Sequence, residues 1–212
     1  MDDIFFDCDS TLSSIEGIDE LAERLGKGAE IAALTNAAMN GEVKLEDVYA
    51  ERLRRIQPTR ADLNEIAEAY KRTMIPDAKE VIARLRAIGK RVFVVSGGMA
   101  AAVVPFALWL GVPRGRIFAV PVLFDENGRF AGVAPSPLTT QTGKTQVIRA
   151  AREQGRTAML VGDGSSDLAA REAVDMFVGF GGVVARPLVA QHADVFIREN
   201  SLEKIVELAC AK

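Results

Sequence analysis

The sequence predicts an α/β fold, a doubly wound, Rossmann-like parallel sheet with a small helical cap inserted after the first strand. Two observations carry this expectation. Short apolar runs recur along the chain with amphipathic helical stretches between them, the alternation that a parallel sheet covered by helices produces. Residues 14–72 break that alternation, carrying four helical patterns and no convincing strand. The expected organisation is therefore an α/β core made of residues 1–13 and 73–212, with residues 14–72 as the cap.

Taken in order, Ile4-Phe5-Phe6 forms a buried strand ending at Asp7. The cap segments IEGIDELAERLG (15–26), GAEIAALTNAAMNG (28–41), LEDVYAERLRRI (45–56) and ADLNEIAEAYKR (61–72) place apolar residues three and four apart. The core then resumes with a helix over 78–89 that stops at a glycine, a strand over Val92–Val95, a glycine turn at Ser96-Gly97-Gly98, and a buried helix over Met99–Leu110 containing Pro105. Residues 92–113 are 22 uncharged residues, long enough to span a bilayer, but the strand, turn and proline signals argue for a core segment. FAVPVLFDENGRFAGV (118–133) interrupts the alternation with two strand-like runs around Asn127-Gly128, a β-hairpin. A helix over 145–155, strands at 158–162, 176–180 and 194–197, and a helix over 167–174 complete the pattern.

Composition narrows the function classes. The chain has 212 residues, 49% hydrophobic and 26% charged, as a globular protein does. Its 26 Lys+Arg against 29 Asp+Glu form no basic footprint, so nucleic acid is not expected as a partner. Cys8 and Cys210 lack disulfide-framework or metal-ligand spacing. The acidic MDDIFFDCDS reaches Asp7 and Asp9 before an apolar region could form, which argues against a signal peptide. A cytoplasmic protein with no membrane partner, a monomer or homodimer, is the expectation.

The chemistry-bearing residues sit where open α/β sheets bind ligands, just past the carboxyl ends of strands. Asp7 and Asp9 follow the first strand, although Asp9, Ser10 or Thr11 capping a helix is an alternative. VFVVSGG and AMLVGDGSSD repeat the plan. The Ser96 hydroxyl and the Gly97 N–H suit phosphate oxygens, and Asp163 and Asp167 add carboxylates. Four carboxylates in one cleft repel one another unless a cation is bound, and hard oxygen ligands favour Mg²⁺. Lys144 at a helix start could face an anion or be merely solvated. A P-loop is not completed, because Leu138 stands where its first glycine belongs, and GFGG lacks the last glycine of a dinucleotide fingerprint at Val184.

In the cap, Leu45, Val48, Tyr49, Leu53 and Ile56 share a helical face with Arg52 at its middle. Arg52 should be partly buried and need an anion: a substrate carboxylate, or a structural ion pair, or a snorkelling position. Ser13-Ser14-Ile15-Glu16 fits a capping box, the local alternative to a ligand-binding role for Glu16. His192, the sole histidine, has no nucleophile motif nearby and fits a surface or capping role. Cys8 should be a packed thiol, and Met39, Phe106, Trp109 and Phe130 core or cap lining.

DCDSTL, VSGG, Lys144 and GDGSSD, in that order, resemble the haloacid dehalogenase-like phosphatases, and the match spans the core. The helical insertion and the DxDST spelling are similar to the branch acting on phosphoserine. The resemblance implies that Asp7 is the nucleophile, forming an aspartyl-phosphate, and that Asp9 is the acid/base. By the same resemblance Mg²⁺ would be bound by Asp7, the backbone carbonyl of Asp9 and Asp163, with Asp167 supporting. Ser96, Gly97 and Lys144 would hold the phosphoryl group, and Glu16 and Arg52 match the family's residues for the substrate's amino group and carboxylate. Ser166 departs from the family, where asparagine is common. The expected activity is a Mg²⁺-dependent phosphomonoesterase for phosphoserine. Its rivals are a phosphatase for another small phosphate ester and a phosphotransferase using an acceptor alcohol. Dehalogenase chemistry needs neither Asp9 nor a metal, and a retired binding module would have lost site groups that are all present here.

Overall fold

The computed structural model describes residues 1–40 and 42–211; Gly41, at the end of the second predicted helix, lies outside them. Its strands are β1 (Asp3–Phe6), β2 (Arg91–Met99), β3 (Ile117–Val120), β4 (Val122–Phe124), β5 (Phe130–Val133), β6 (Ala158–Gly162), β7 (Met176–Phe180) and β8 (Val195–Ile197). Six form a parallel sheet in the order β3-β2-β1-β6-β7-β8, and β4 and β5 pair as an antiparallel hairpin. The central strands are apolar and β-branched along their length because helices cover the sheet, and Ile4, Phe5, Phe6, Val92, Val94, Leu160 and Val161 are fully buried.

Between β1 and β2 lie α1 (Gly17–Arg24), α2 (Gly28–Met39), α3 (Leu45–Ile56), α4 (Arg60–Arg72) and α5 (Ala78–Ala87). They are followed by α6 (Ala100–Trp109), α7 (Gly143–Ala151), α8 (Ser165–Ala169), α9 (Pro187–His192) and α10 (Glu203–Cys210). Helices α1 to α4 bury Leu21, Ile31, Leu53, Leu63 and Ile66 completely and form the insertion. Thr59 and Asp62 start α4 with a reciprocal capping box. The insertion joins the sheet layer through α4 and α6, where the rings of Tyr70 and Phe106 stack with centroids 5.4 Å apart. Around the strand ends, Tyr49 donates to the Gly97 carbonyl at 2.7 Å, Ser165 to the Ala38 carbonyl at 2.8 Å, and the Gln141 N–H to Glu46 at 3.0 Å.

Several expectations are corrected. Ser96-Gly97-Gly98 is not a turn: β2 runs through it to Met99, with a register shift against β3 between Val95 and Met99. Pro121 divides the first hairpin run, so that its leading half, β3, pairs with β2 in the main sheet. The helix expected over 167–174 is α8 followed by a single tight turn over 170–173. Trp109 is not core: it is 39% exposed, with the Lys79 ammonium 3.8 Å from its ring centroid. Because α6 is apolar all round, its pattern could not say which side faces solvent. Cys8 is a buried free thiol and His192 is exposed, as expected. No helix among the described residues is long and apolar enough to cross a membrane.

Candidate active site

Three neighbouring strand ends deliver the polar residues. Asp7 directly follows β1 and continues its ladder, its N–H donating to the Val161 carbonyl at 2.9 Å. Asp163 directly follows β6, and Ser96 lies in β2 on the other side of β1. Asp167, in the first turn of α8, turns back and accepts the Gly164 N–H at 3.1 Å. Asp7, Asp163 and Asp167 are all buried, with carboxylate oxygens within 4.8 Å of one another. Three carboxylates offering only hard oxygen donors fit a divalent cation such as Mg²⁺.

Lys144 is not a solvated lysine. It is 3% exposed, and its Nζ lies 2.7 Å from Asp7 Oδ2 and 2.7 Å from Asp167 Oδ1. Burial works against its charge, but Asp167 and Asp7 outweigh burial and raise its pKa above the usual lysine range. One ammonium does not neutralise the cluster. Burial and the charge of Asp7 push Asp163 up to about 6 and Asp167 up to about 8.

No helix starts at Asp9, Ser10 or Thr11, so the capping alternative for these residues falls. Residues 8–12 form a turn in which Ser10 takes a left-handed conformation, φ 50°. Asp9 Oδ1 accepts from the Gly17 N–H and from the Tyr70 hydroxyl, both at 2.6 Å, and Oδ2 accepts from Ser96 at 3.4 Å. Burial and the neighbouring Asp7 push the Asp9 carboxyl up to about 6. Burial, with Asp9 beside it, raises the Tyr70 phenol well above its ordinary value, so it remains a donor.

The insertion supplies the other end of the cleft. Arg52 is 3% exposed; its Nη1 donates to Thr35 Oγ1 at 2.8 Å, and its buried Nε has no partner among the described residues. Its guanidinium lies 5.6 Å from the Tyr49 ring centroid and within ion-pairing distance of no carboxylate among the described residues. Neither a direct ion pair nor snorkelling describes it; the nearest structural link to a carboxylate runs through Thr35, whose hydroxyl donates to Asp19 at 2.6 Å. The capping-box alternative for Glu16 is also absent. Glu16 occupies the N-cap position itself, not the third helical position, and its side chain makes no cap bond. Its Oε1 instead accepts from Ser10 Oγ at 2.7 Å, and burial, followed by Asp9 and Asp163, raises its pKa well above the usual range. Both Glu16 and Arg52 line the same cleft as Asp7, Asp9, Gly97, Lys144 and Ser166.

Sequence reasoning missed Arg186, Tyr70 and Thr35. Arg186, 4% exposed, donates to Asp163 Oδ2 at 3.1 Å and to Asn40 at 2.9 Å, with Glu16 3.9 Å away. It stands alone in the apolar VVARPLV beyond β7, and the strand-end rule applied to a fourth strand would have found it. Tyr70 carried no such signal, because an aromatic on the buried face of α4 reads as core.

Comparison with known proteins places this site in context. Residues 4–172 match the model of the haloacid dehalogenase-like hydrolases. The phosphoserine phosphatase of Drosophila melanogaster is 35% identical over 200 residues, covering 92% of this chain and 74% of that protein. The chloroplastic phosphoserine phosphatase of Arabidopsis thaliana is 37% identical, covering 92% and 68% respectively. A solved phospho-aspartyl intermediate analogue of phosphoserine phosphatase superposes with a TM-score of 0.85 at 28% identity, covering 98% of both chains. A substrate-bound phosphoserine phosphatase gives 0.85 at 27%, covering 98% and 97%.

Proposed function

The chain belongs to the haloacid dehalogenase-like hydrolases, in their phosphoserine phosphatase branch, and is a phosphoric monoester hydrolase; from that premise we propose that it cleaves O-phospho-L-serine to L-serine and phosphate through an aspartyl-phosphate on Asp7. The observation that carries the choice of substrate is Arg52, a buried guanidinium without a carboxylate partner among the described residues, lining the cleft that holds Asp7. A ligand with a phosphate at one end and a carboxylate at the other satisfies both ends of that cleft.

The chain's own residues divide the work. Asp7 attacks phosphorus as the bond to the serine oxygen breaks, and Asp9 gives its proton to that departing oxygen. In the second half Asp9 takes a proton from water as the water oxygen bonds to phosphorus and the bond to Asp7 breaks. Burial favours the protonated Asp9 that the first half requires. Ser96, Gly97 and Lys144 hold the phosphoryl oxygens, Glu16 receives the amino group and Arg52 the carboxylate. Asp7, Asp163 and the backbone carbonyl of Asp9 are the groups that would hold Mg²⁺, with Asp167 behind them, and the ion supplies charge neutralisation at the phosphoryl oxygens when bound.

Phosphate release from O-phospho-L-serine, 3-phosphoglycerate and a sugar phosphate, with Mg²⁺ and with EDTA, tests the reading, with Asp7→Asn as the blank. EDTA-sensitive turnover that favours phosphoserine is expected. Equal turnover of the esters without an amino group would remove the roles given to Glu16 and Arg52, and transfer of phosphate to added alcohols in place of release would favour a phosphotransferase.

A further inference from the structure

The proposed chemistry asks Asp9 to give up and take back a proton on the side facing the ester oxygen, and a carboxylate has two oxygens that could do so. In this structure they are not equivalent. Oδ1 is turned into the insertion, where the Gly17 N–H at the start of α1 and the Tyr70 hydroxyl of α4 both donate to it at 2.6 Å. A carboxylate oxygen has two in-plane lone pairs, and two such donors use both. Oδ2 faces the core, with only the 3.4 Å contact from Ser96. We infer that Tyr70 is a positioning residue for proton transfer: with the Gly17 N–H it occupies Asp9 Oδ1 and leaves Oδ2 as the oxygen that exchanges a proton with the ester oxygen. This rests on the reading of Asp9 as acid/base.

The surroundings of Tyr70 suit that role. Its side chain is fully buried and its ring stacks on Phe106, so the hydroxyl is fixed from the sheet side of the molecule. The contact also explains why position 17 is a glycine. A Cβ there would lie 2.1 Å from the Tyr70 hydroxyl and 3.2 Å from Asp9 Oδ1, so any side chain would drive the two donors and their acceptor apart. Both donors belong to the insertion, whereas Asp9 belongs to the core. The acid/base is thus set in place only when α1 and α4 are seated on the strand ends, which ties the proton-transfer geometry to closure of the cleft.

Tyr70→Phe removes the hydroxyl and keeps the ring. Its effect is read with two substrates on the otherwise unaltered chain: O-phospho-L-serine, whose alkoxide must be protonated as it leaves, and p-nitrophenyl phosphate, whose phenolate leaves without a proton. The expected result is a fall of about tenfold in the single-turnover rate of serine release from phosphoserine, a fraction of the ~100 to 10,000-fold that acid/base catalysis supplies, with KM within about twofold. For p-nitrophenyl phosphate the single-turnover release of nitrophenolate should stay within about twofold, because the water attack that also uses Asp9 comes after it and is common to both esters. Gly17→Ala should reproduce the same selectivity by displacing the hydroxyl with its new methyl. Equal losses in the first turnover with both esters, no loss with phosphoserine, or a change in KM alone would overturn the inference. A misfolded Tyr70→Phe shows itself by losing both activities and its thermal transition, and Gly17→Ala then decides. If the unaltered chain hydrolyses p-nitrophenyl phosphate but no alkyl phosphate, the functional reading fails first and takes this inference with it.

Discussion

Arg52→Met should make the unliganded protein more stable while damaging its action on phosphoserine. Burying a guanidinium costs several kcal/mol after relaxation. Against this, the bond to Thr35 returns ~1.5–3 kcal/mol and the Tyr49 ring ~0.5–2 kcal/mol. The balance leaves Arg52 costing about 1–2 kcal/mol relative to an unbranched apolar side chain of similar reach. For a chain of this size that corresponds to a rise of about 2–8 °C in Tm. The loss appears only with ligand present, because a carboxylate meeting Arg52 is a desolvated charge pair whose truncation costs ~2–5 kcal/mol, or about 30-fold or more in KM. Thermal melts without ligand, and steady-state kinetics with phosphoserine and with phosphoethanolamine, which lacks the carboxylate, read both effects. Phosphoethanolamine should change by less than about threefold. A fall in Tm of more than about 4 °C would mean that Arg52 holds the fold together, and equal losses for both esters would refute its assignment to the carboxylate.

Four further outcomes follow from the same geometry. Lys144→Met leaves Asp7 and Asp167 buried without their cation and should cost ~3–5 kcal/mol, seen as a Tm lower by about 6–20 °C and partly restored by Mg²⁺. In the unaltered protein, Mg²⁺ at about 100 times its Kd should add ~2.7 kcal/mol of stability by calorimetry, and Asp163→Asn should abolish most of that gain. Burial alone would raise the Asp3 carboxyl, but hydrogen bonds from Arg91 and Arg156 outweigh it and hold the group below its ordinary 3.8. Such a group stabilises fully above its unfolded value and loses its contribution as pH falls through the lower folded one, so urea melts of Asp3→Asn should show ~3 kcal/mol less stability at neutral pH and a flatter decline below about pH 4. Gly143→Ala would put a Cβ 1.8 Å from the Pro137 carbonyl oxygen, a backbone atom, and should destabilise by ~1–3 kcal/mol or more, displace Lys144 and lower kcat.

The α/β order and the four helices of the insertion were legible because each is long enough for its period to show, as in LEDVYAERLRRI, which is helical from its first residue to its last. The strand ends were legible for a different reason: polar residues and glycines directly after an apolar run mark the carboxyl edge of a parallel sheet. What was not legible depended on contacts distant in sequence. Glu16 fitted a capping box by spacing, yet the helix begins one residue later at Gly17 and the side chain pairs with Ser10 instead. Tyr70 lies 61 residues from its partner Asp9, and Arg186 lies 23 from Asp163. No local pattern encodes such pairings. β2 continued past Ser96-Gly97-Gly98 because Met99 pairs again with Val120 of β3, so the two glycines form an irregularity within the strand and not a turn out of it.

The distribution of charge over the two halves of the cleft explains how a small ligand could hold them together. On the core side Asp7, Asp163 and Asp167 face Lys144 and Arg186, a cluster that a bound divalent cation would bring to net positive, and on the insertion side Arg52 carries positive charge with no carboxylate within ion-pairing distance among the described residues. Direct ties between the halves around the cleft include the hydrogen bonds of Tyr49 to Gly97, Ser165 to Ala38, Gln141 to Glu46, Arg186 to Asn40, Ser10 to Glu16, and of Tyr70 and the Gly17 N–H to Asp9, beside the stacking of Tyr70 on Phe106. At ~0.5–1.5 kcal/mol each, these hydrogen bonds are individually smaller than one desolvated charge pair, worth ~2–5 kcal/mol. A ligand whose phosphate engages the core and whose carboxylate reaches Arg52 makes its second contact only when the insertion is seated. Its affinity for the seated arrangement then exceeds that of a phosphate ester without the second charge by the worth of that contact. Discrimination between esters by Arg52 and positioning of Asp9 by Gly17 and Tyr70 both require the same seating of the insertion on the strand ends.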